Sequence, residues 1–391
     1  MKKLLLATAA TALMGSAASA EEVKLGVLLG FTGPLDSLAP AIAAGAEFAM
    51  AEVNASGKMM DGITFTPVRG DSTCIDAGAA TATAERMITA DGVKGIVGAM
   101  CSGATGAVLQ NVAMPNGMVL ISPSATSPAL STVEDNGLFF RTAPSDARQG
   151  EVMATMLKER GYKDVAVTYT NNDYGKGLAD SFAAAWEAAG GTVTINAAHE
   201  DGKADYSAEV GALASAGGEL LVVAGYVDQG GSGVIQAALD SGAFDTFELP
   251  DGMISTTLEE KFGTDIDGSF GQTPGSSAAD KFAEVVGDAF DATSTYADNG
   301  YDAAALIMLA MQAAGSTDPQ VYKDKIMDVA NAPGEQIFPG ELGKALEILA
   351  SGGEVDLVGA SAVELIGQGE SAGSYREIEM QDGKLVTIGY R

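Results

Sequence analysis

The feature that most constrains this chain is a beat: short apolar runs alternate with alanine-rich stretches about every 15 residues. The first run, 23–29 (VKLGVLL), has the look of a strand buried on both faces. Phe31-Thr32-Gly33-Pro34 breaks it, and a helix is predicted over 39–53. Strand 63–69, helix 77–90, strand 95–97, helix 103–112 and strand 118–122 continue the beat. Such alternation marks βαβ units on a parallel sheet. After Phe139-Phe140-Arg141-Thr142 the beat restarts. Helix 149–160, strand 164–170, helix 177–189, strand 192–196, helix 206–216, strand 219–224, helix 231–241 and a short strand near Phe247 repeat the architecture without repeating the sequence. The Gly/Pro/Ser cluster 271–277 reads as a linker. Helices over 278–290, 301–314 and 319–330 follow, and Gln381-Asp382-Gly383 marks a hairpin. A chain of 391 residues exceeds what one core usually supports. Two α/β lobes crossed more than once imply a hinged cleft, with ligand beyond the carboxyl ends of strands where strand order reverses.

The first twenty residues stand apart from this pattern. Lys2 and Lys3 precede an apolar stretch over 4–14, and Ala18-Ser19-Ala20 forms a small-residue cleavage site, so 1–20 reads as a secretory signal cut after Ala20. No Cys follows the cut, which predicts an unanchored product. The next apolar run, 303–314, is too short to span a bilayer and reads as a buried helix. Cys74 and Cys101 are the only cysteines, and an even count in an exported chain predicts a disulfide. The formal charge of −30 becomes two units more negative once Lys2 and Lys3 are removed. Such a surface repels phosphate backbones and anionic membranes, and its ordinary role is solubility.

No catalytic constellation is legible. The sequence lacks a G-x-S-x-G elbow, a P-loop, a G-x-G-x-x-G turn and H-E-x-x-H. One histidine cannot build a His-based metal cluster or an obvious Ser-His dyad, so no metal and no cofactor are expected. His199 lies in the polar run Ala198-His199-Glu200-Asp201 and reads as a solvated surface residue. The residues that stand out are at strand ends. Ser102 follows strand 95–97 and opens a helix, which makes it either an ordinary cap or part of an anion site. Ser122-Pro123-Ser124-Ala125-Thr126-Ser127-Pro128 is either a plain polar loop or a rigid one lined with hydroxyls and N–H groups.

Read in order, further marks accumulate: Gly33-Pro34, Cys74 with Cys101-Ser102, Ser122 to Thr126, Asp173-Tyr174-Gly175-Lys176-Gly177-Leu178-Ala179, Gly225-Tyr226 and Pro250-Asp251-Gly252. As a set they resemble the type I periplasmic binding proteins for branched-chain amino acids, the leucine/isoleucine/valine-binding class. The resemblance implies an α/β Venus-flytrap fold: two Rossmann-like lobes with parallel central sheets, joined by a three-segment hinge. The first lobe would comprise 21–142 and 275–371, the second 143–274 and 372–391. Carried over residue by residue, the resemblance gives the ligand carboxylate to the Ser102 and Thr126 hydroxyls and the N–H groups of Ser124, Ala125 and Thr126. It gives the ammonium to Asp251 and a backbone carbonyl near Ser124. Tyr174 and Tyr226 would close over the ligand, with Tyr296 packed nearby.

Two departures from the family pattern bear on specificity. Leucine binders place Glu where this chain has Asp251, and a bulky aromatic where it has Leu38. The expected function is delivery of a free amino acid, branched-chain or otherwise aliphatic or neutral, to the membrane permease of an ABC importer, by a monomer free of nucleic acid and membrane anchor. Alternatives are the same fold holding urea, a short amide or an aromatic acid, and, more remotely, a periplasmic hydrolase.

Overall fold

The computed structural model describes residues 21–391, so the expected leader lies outside the described residues. The alternating runs become two sheets. In the first, β1 (Glu22–Leu29), β2 (Thr64–Asp71), β3 (Ile96–Gly98), β4 (Leu120–Ser122) and β5 (Phe139–Arg141) are parallel in the order β2-β1-β3-β4-β5. In the second, β6 (Asp164–Thr170), β7 (Thr192–His199), β8 (Leu221–Ala224), β9 (Phe247–Leu249) and β10 (Phe270–Pro274) are parallel. Two small pairs intervene, β11 (Glu335–Ile337) with β12 (Val355–Leu357) and β13 (Leu365–Ile366) with β14 (Glu370–Ser371). The antiparallel hairpin β15 (Tyr375–Gln381) and β16 (Lys384–Tyr390) then completes the second sheet, in the order β16-β15-β10-β9-β8-β6-β7.

Helices cover the sheets: α1 (Ala39–Ser56), α2 (Ala77–Arg86), α3 (Ser102–Val108), the single turn α4 (Met114–Asn116), α5 (Asp146–Arg160), α6 (Asp173–Ala188), α7 (Ser207–Ala216), α8 (Gly230–Ser241), α9 (Thr256–Phe262), α10 (Ala278–Val286) and α11 (Ala297–Ala314). Every residue of α11 from Ala297 to Gln312 is buried, as its apolar sequence requires. It crosses α1 so closely that a Cβ on Gly45 would lie 2.0 Å from the Ala297 carbonyl oxygen, and one on Gly300 would lie 2.4 Å from that of Ile42. No side chain larger than hydrogen fits at that crossing. Among the described residues no helix is long and apolar enough to cross a membrane.

Strand order reverses twice, at β1/β3 in one sheet and at β6/β8 in the other. Those reversals open crevices beyond the carboxyl ends of the strands. The chain passes between the sheets after β5, after β10 and before β15. The three passages run side by side: Pro144 bridges to Ser371, and Gly275 N–H donates to the Ser374 carbonyl at 3.1 Å.

Two readings of the sequence need correction. The cluster 271–277 is not simply a linker, because its first half is β10, wholly buried in the second sheet. Gly271 is there for closeness, since a Cβ would sit 1.7 Å from the Leu249 carbonyl oxygen. The crossing comes only after Pro274. His199 is not solvated either: β7 runs on past Asn196 and ends on it, leaving it 1% exposed. Its Nδ1 bonds the Thr168 hydroxyl at 2.8 Å, and the Tyr206 ring meets it edge-on at 6.3 Å. Burial lowers its pKa to about 4, so it is neutral and structural.

Candidate functional site

The residues singled out at strand ends converge on the two crevices. Ser102 follows β3, Ser124 to Thr126 follow β4, Tyr174 follows β6, Tyr226 follows β8 and Asp251 follows β9. Tyr296 arrives from the turn before α11 in a left-handed conformation with φ 68°. All eight, Ser102, Ser124, Ala125, Thr126, Tyr174, Tyr226, Asp251 and Tyr296, are buried.

On the side of the first sheet the loop after β4 is tied to its neighbour by hydroxyls. Ser122 Oγ donates to the Ala99 carbonyl at 2.6 Å and accepts from Ala125 N–H at 2.9 Å. Ser124 Oγ donates to the Met100 carbonyl at 2.8 Å, and Ser127 N–H donates to Ser102 Oγ at 3.1 Å. Cys74 and Cys101 are bonded, with Cα atoms 5.1 Å apart, which fixes the chain immediately before Ser102. From below, the buried Arg141 guanidinium donates to the Ala125 and Ser127 carbonyls at 3.2 and 3.0 Å, and pairs with Glu370 at 2.8 Å. Arg141 thus shapes the loop, and among the described residues it is the only buried Lys or Arg. The Ala125 N–H, one of the expected ligand donors, is spent on this internal bonding, whereas the Thr126 hydroxyl has no partner.

On the side of the second sheet the site is a carboxylate held by phenols. Asp251 Oδ1 accepts from Tyr174 OH at 2.8 Å and from Gln149 Nε2 at 3.1 Å, and its Oδ2 accepts from Tyr296 OH. Gly252 N–H donates back to Tyr174 OH at 3.2 Å. Tyr174 and Tyr226 stack with ring centroids 5.2 Å apart and planes 7° from parallel.

The site also contains an acid that the sequence reading missed. Asp146 stands in the first turn of α5, tied to the loop after β4 by its N–H on the Thr126 carbonyl at 2.8 Å. It is 0% exposed, and neither carboxylate oxygen has a hydrogen-bond partner. The Thr126 hydroxyl lies beside it, close enough to oppose the rise of its pKa, but makes no hydrogen bond to it. Burial, and then the charge of Asp251, hold its pKa well above the usual carboxylate range. Asp251 is raised too, chiefly by burial, although its three side-chain donors oppose the shift. Gln149 Oε1 and Tyr375 OH are likewise buried without partners, and the charges of Asp146 and Asp251 bear on Tyr375. The signal for Asp146 was Ser145, an N-cap whose side chain accepts from Ala147 N–H. Starting that helix at 149 placed Asp146 in a connector.

Two like charges this deep are costly without a counter-charge. The arrangement therefore suits a ligand with a cationic end toward Asp146 and Asp251 and an acceptor-rich end toward Ser102 and Thr126. Among the described residues, no group of His, Cys, Asp and Glu has the arrangement of a metal site.

Comparison with known proteins bears on the family and the fold. A family model described as periplasmic binding protein matches residues 22–335. A Leu/Ile/Val-binding protein homolog from Brucella melitensis is 31% identical over 325 residues, covering 81% of this chain and 86% of its own. A leucine-binding protein from Thermotoga maritima superposes with a TM-score of 0.78 at 22% identity, over 94% of this chain and 98% of its own. A solute-binding protein of an ABC transporter from R. palustris, in complex with 4-hydroxybenzoate, superposes at 0.74 with 18% identity, over 95% of this chain and 97% of its own.

Proposed function

The chain belongs to the periplasmic binding protein family, whose members bind solutes without transforming them, and we propose that it captures a free amino acid in its interlobe cleft. The observation that carries the ligand assignment is the burial of two carboxylates, Asp251 and Asp146, close enough for the charge of Asp251 to raise the pKa of Asp146, beside the unpartnered Thr126 hydroxyl. A zwitterion supplies what each end lacks: an ammonium for the acids and a carboxylate for the Ser102 and Thr126 hydroxyls and the Thr126 N–H, the N–H groups of Ser124 and Ala125 being engaged by Ser122 Oγ. Tyr174, Tyr226 and Tyr296 would form the walls. Delivery to an ABC permease, export behind the leader 1–20, action as a monomer, and lobes made of 21–142 with 275–371 and 143–274 with 372–391 belong to the same reading.

The R. palustris neighbour and the stacked Tyr174–Tyr226 pair favour a second reading, an aromatic acid. Against it, an anion would meet two buried carboxylates, and among the described residues the one buried cation that bears on them, Arg141, is already engaged by Glu370 and the loop carbonyls. A thermal-shift screen of mature protein against the free L-amino acids, urea and 4-hydroxybenzoate separates the readings. A ligand at a hundred times its Kd adds about 2.7 kcal/mol of stability. Stabilisation by 4-hydroxybenzoate or urea, with none by any amino acid, would overturn the proposal.

A further inference from the structure

Away from the pocket, the seam between the lobes carries a separate set of contacts. On the first-lobe side the loop 33–38 after β1 is rigidly held. Thr32 N–H and Oγ1 both donate to the Asp71 carboxylate, at 3.3 and 2.5 Å. Gly33, with φ 114°, approaches Thr73 so closely that a Cβ would lie 2.4 Å from its carbonyl oxygen. On the second-lobe side Asp228, just beyond β8, is fixed by the Thr257 hydroxyl donating to its Oδ1 at 3.1 Å. Ser255, whose side chain accepts from Thr257 N–H at 3.2 Å, caps α9 beside it.

These two prepared edges meet through three bonds. Ser37 N–H donates to Asp228 Oδ2 at 2.9 Å, Asp228 N–H donates to the Pro34 carbonyl at 3.3 Å, and the Ser37 and Ser255 hydroxyls lie 3.2 Å apart. None of these residues belongs to the proposed amino-acid site. Each edge is held by its own lobe, so the bonds between them form only when the lobes are shut, and they stabilise the shut form alone.

We propose that Asp228 is the closing latch of this protein, engaging the loop 33–38 and setting how long a captured solute is retained. The latch rests on the reading that the chain traps a solute between its lobes. Asp36 acts against it. Its carboxyl stands beside Asp228 across the seam, and burial, the charge of Asp228 and a hydrogen bond to Asp228 that only the protonated carboxyl can make all push its pKa up. The latch thus combines an attraction through Ser37 N–H with a repulsion from Asp36 while it is ionised, and the two can be altered separately.

Stopped-flow release of L-leucine and L-alanine from mature protein, compared for the wild type, Asp228→Ala and Asp36→Asn, tests this. Losing a hydrogen bond to a charged group typically corresponds to roughly tenfold in an equilibrium, and interface changes act mainly on dissociation. Asp228→Ala should release ligand about tenfold faster with association nearly unchanged. Asp36→Asn should slow release, because it removes the repulsion and leaves the Ser37 bond. Equal release rates in all three proteins, or faster release in both variants, would overturn the latch. If neither amino acid binds the wild type, the pocket reading is at fault instead. The latch is then read without ligand, from the distance between spin labels at Asn116 and Ser215, both exposed, on opposite lobes. Asp228→Ala should lengthen that distance and Asp36→Asn shorten it, and identical distributions would reject the proposal.

Discussion

The two walls of the cleft are built on different principles. The first-lobe wall is neutral and internally bonded: Ser122, Ser124 and Ser102 tie one loop to the next, Arg141 supports it from beneath, and the disulfide pins its edge. The second-lobe wall is charged and under electrostatic stress, with Asp146 and Asp251 buried in each other's field. Hydroxyls bonded to backbone carbonyls hold a geometry at little cost, because each of those desolvated groups has a partner, the Thr126 hydroxyl being the exception on this wall. Buried carboxylates that form no ion pair hold a reserve of unfavourable energy that a bound ammonium would relieve. The first wall should accordingly set where the ligand sits, and the second should set what the ligand is.

The largest effect should come from removing charge at the centre of the stressed wall. Asp251→Asn keeps the size and the phenolic contacts but leaves an ammonium poorly matched. Truncating one partner of a buried charge pair typically costs about 2–5 kcal/mol, so calorimetry should show amino-acid affinity weakened by about thirtyfold or more. The melting temperature of the empty protein should not fall. Near-equal Kd values would remove Asp251 from the site and erase the contrast between the walls.

Asp146→Asn sharpens the contrast because its two effects have opposite signs. Affinity should drop by about tenfold, since Asp251 remains to meet the ammonium. The empty protein should melt higher, because the cost of burying this acid beside Asp251, which is what raises its pKa, is gone. An acid in the first turn of a helix contributes only about 0.3–1 kcal/mol through the helix dipole, less than the several kcal/mol of burying an ion. A lower melting temperature with unchanged affinity would make Asp146 a plain helix-terminus residue.

On the neutral wall the expected change is smaller and of a different kind. Ser122 donates to Ala99 and accepts from Ala125 without belonging to the proposed ligand set. Ser122→Ala leaves the Ala125 N–H buried and unpaired, while the Ala99 carbonyl keeps the Thr105 hydroxyl at 3.1 Å, at a cost of about 1–3 kcal/mol in stability. Binding should weaken only a fewfold, as the loop relaxes. Unchanged stability would show that the loop is held by Arg141 and the disulfide alone.

Much of this was legible in the sequence, and the gaps have physical causes. The βαβ beat gave both sheets because parallel strands buried on both faces are continuous apolar runs, as in VKLGVLL over 23–29. The covalent pairing of Cys74 and Cys101 followed from their number and setting. Placing Ser102, Thr126, Tyr174, Tyr226 and Asp251 near one cleft took family resemblance as well, since each motif alone is common. His199 was misread because polarity of the neighbours Glu200 and Asp201 says nothing about which face a strand's last residue occupies. Asp146 was missed because, in so acidic a chain, burial and not identity makes a carboxylate informative.

The smallest effect should be a pH dependence of the empty protein's stability, and it too separates the lobes. On β9 of the second lobe, Glu248 is 0% exposed, and burial raises its pKa to about 8. On α11, burial raises Asp302 to about 7 although Ala360 N–H, Ser361 N–H and Ser361 Oγ all donate to it. A carboxyl raised in the folded chain holds its proton where the unfolded chain has already lost it, so stability falls as pH rises from the ordinary carboxylate range through the raised value. His199 acts in reverse: its lowered pKa makes stability fall as pH drops from 6.5 toward about 4. The melting temperature should therefore rise as pH is lowered from 8 to about 6.5, and the gain should then be opposed by His199. Each excess proton is worth about 1.4 kcal/mol per pH unit, which in a chain of this size is roughly one or two degrees. Glu248→Gln should flatten the slope near pH 8, because it removes the group titrating there, while Asp302→Asn should flatten it nearer pH 7. A slope near pH 8 left unchanged by Glu248→Gln would mean that this acid is already ionised in the folded chain, and its share of the electrostatic stress assigned to the second lobe would have to be withdrawn.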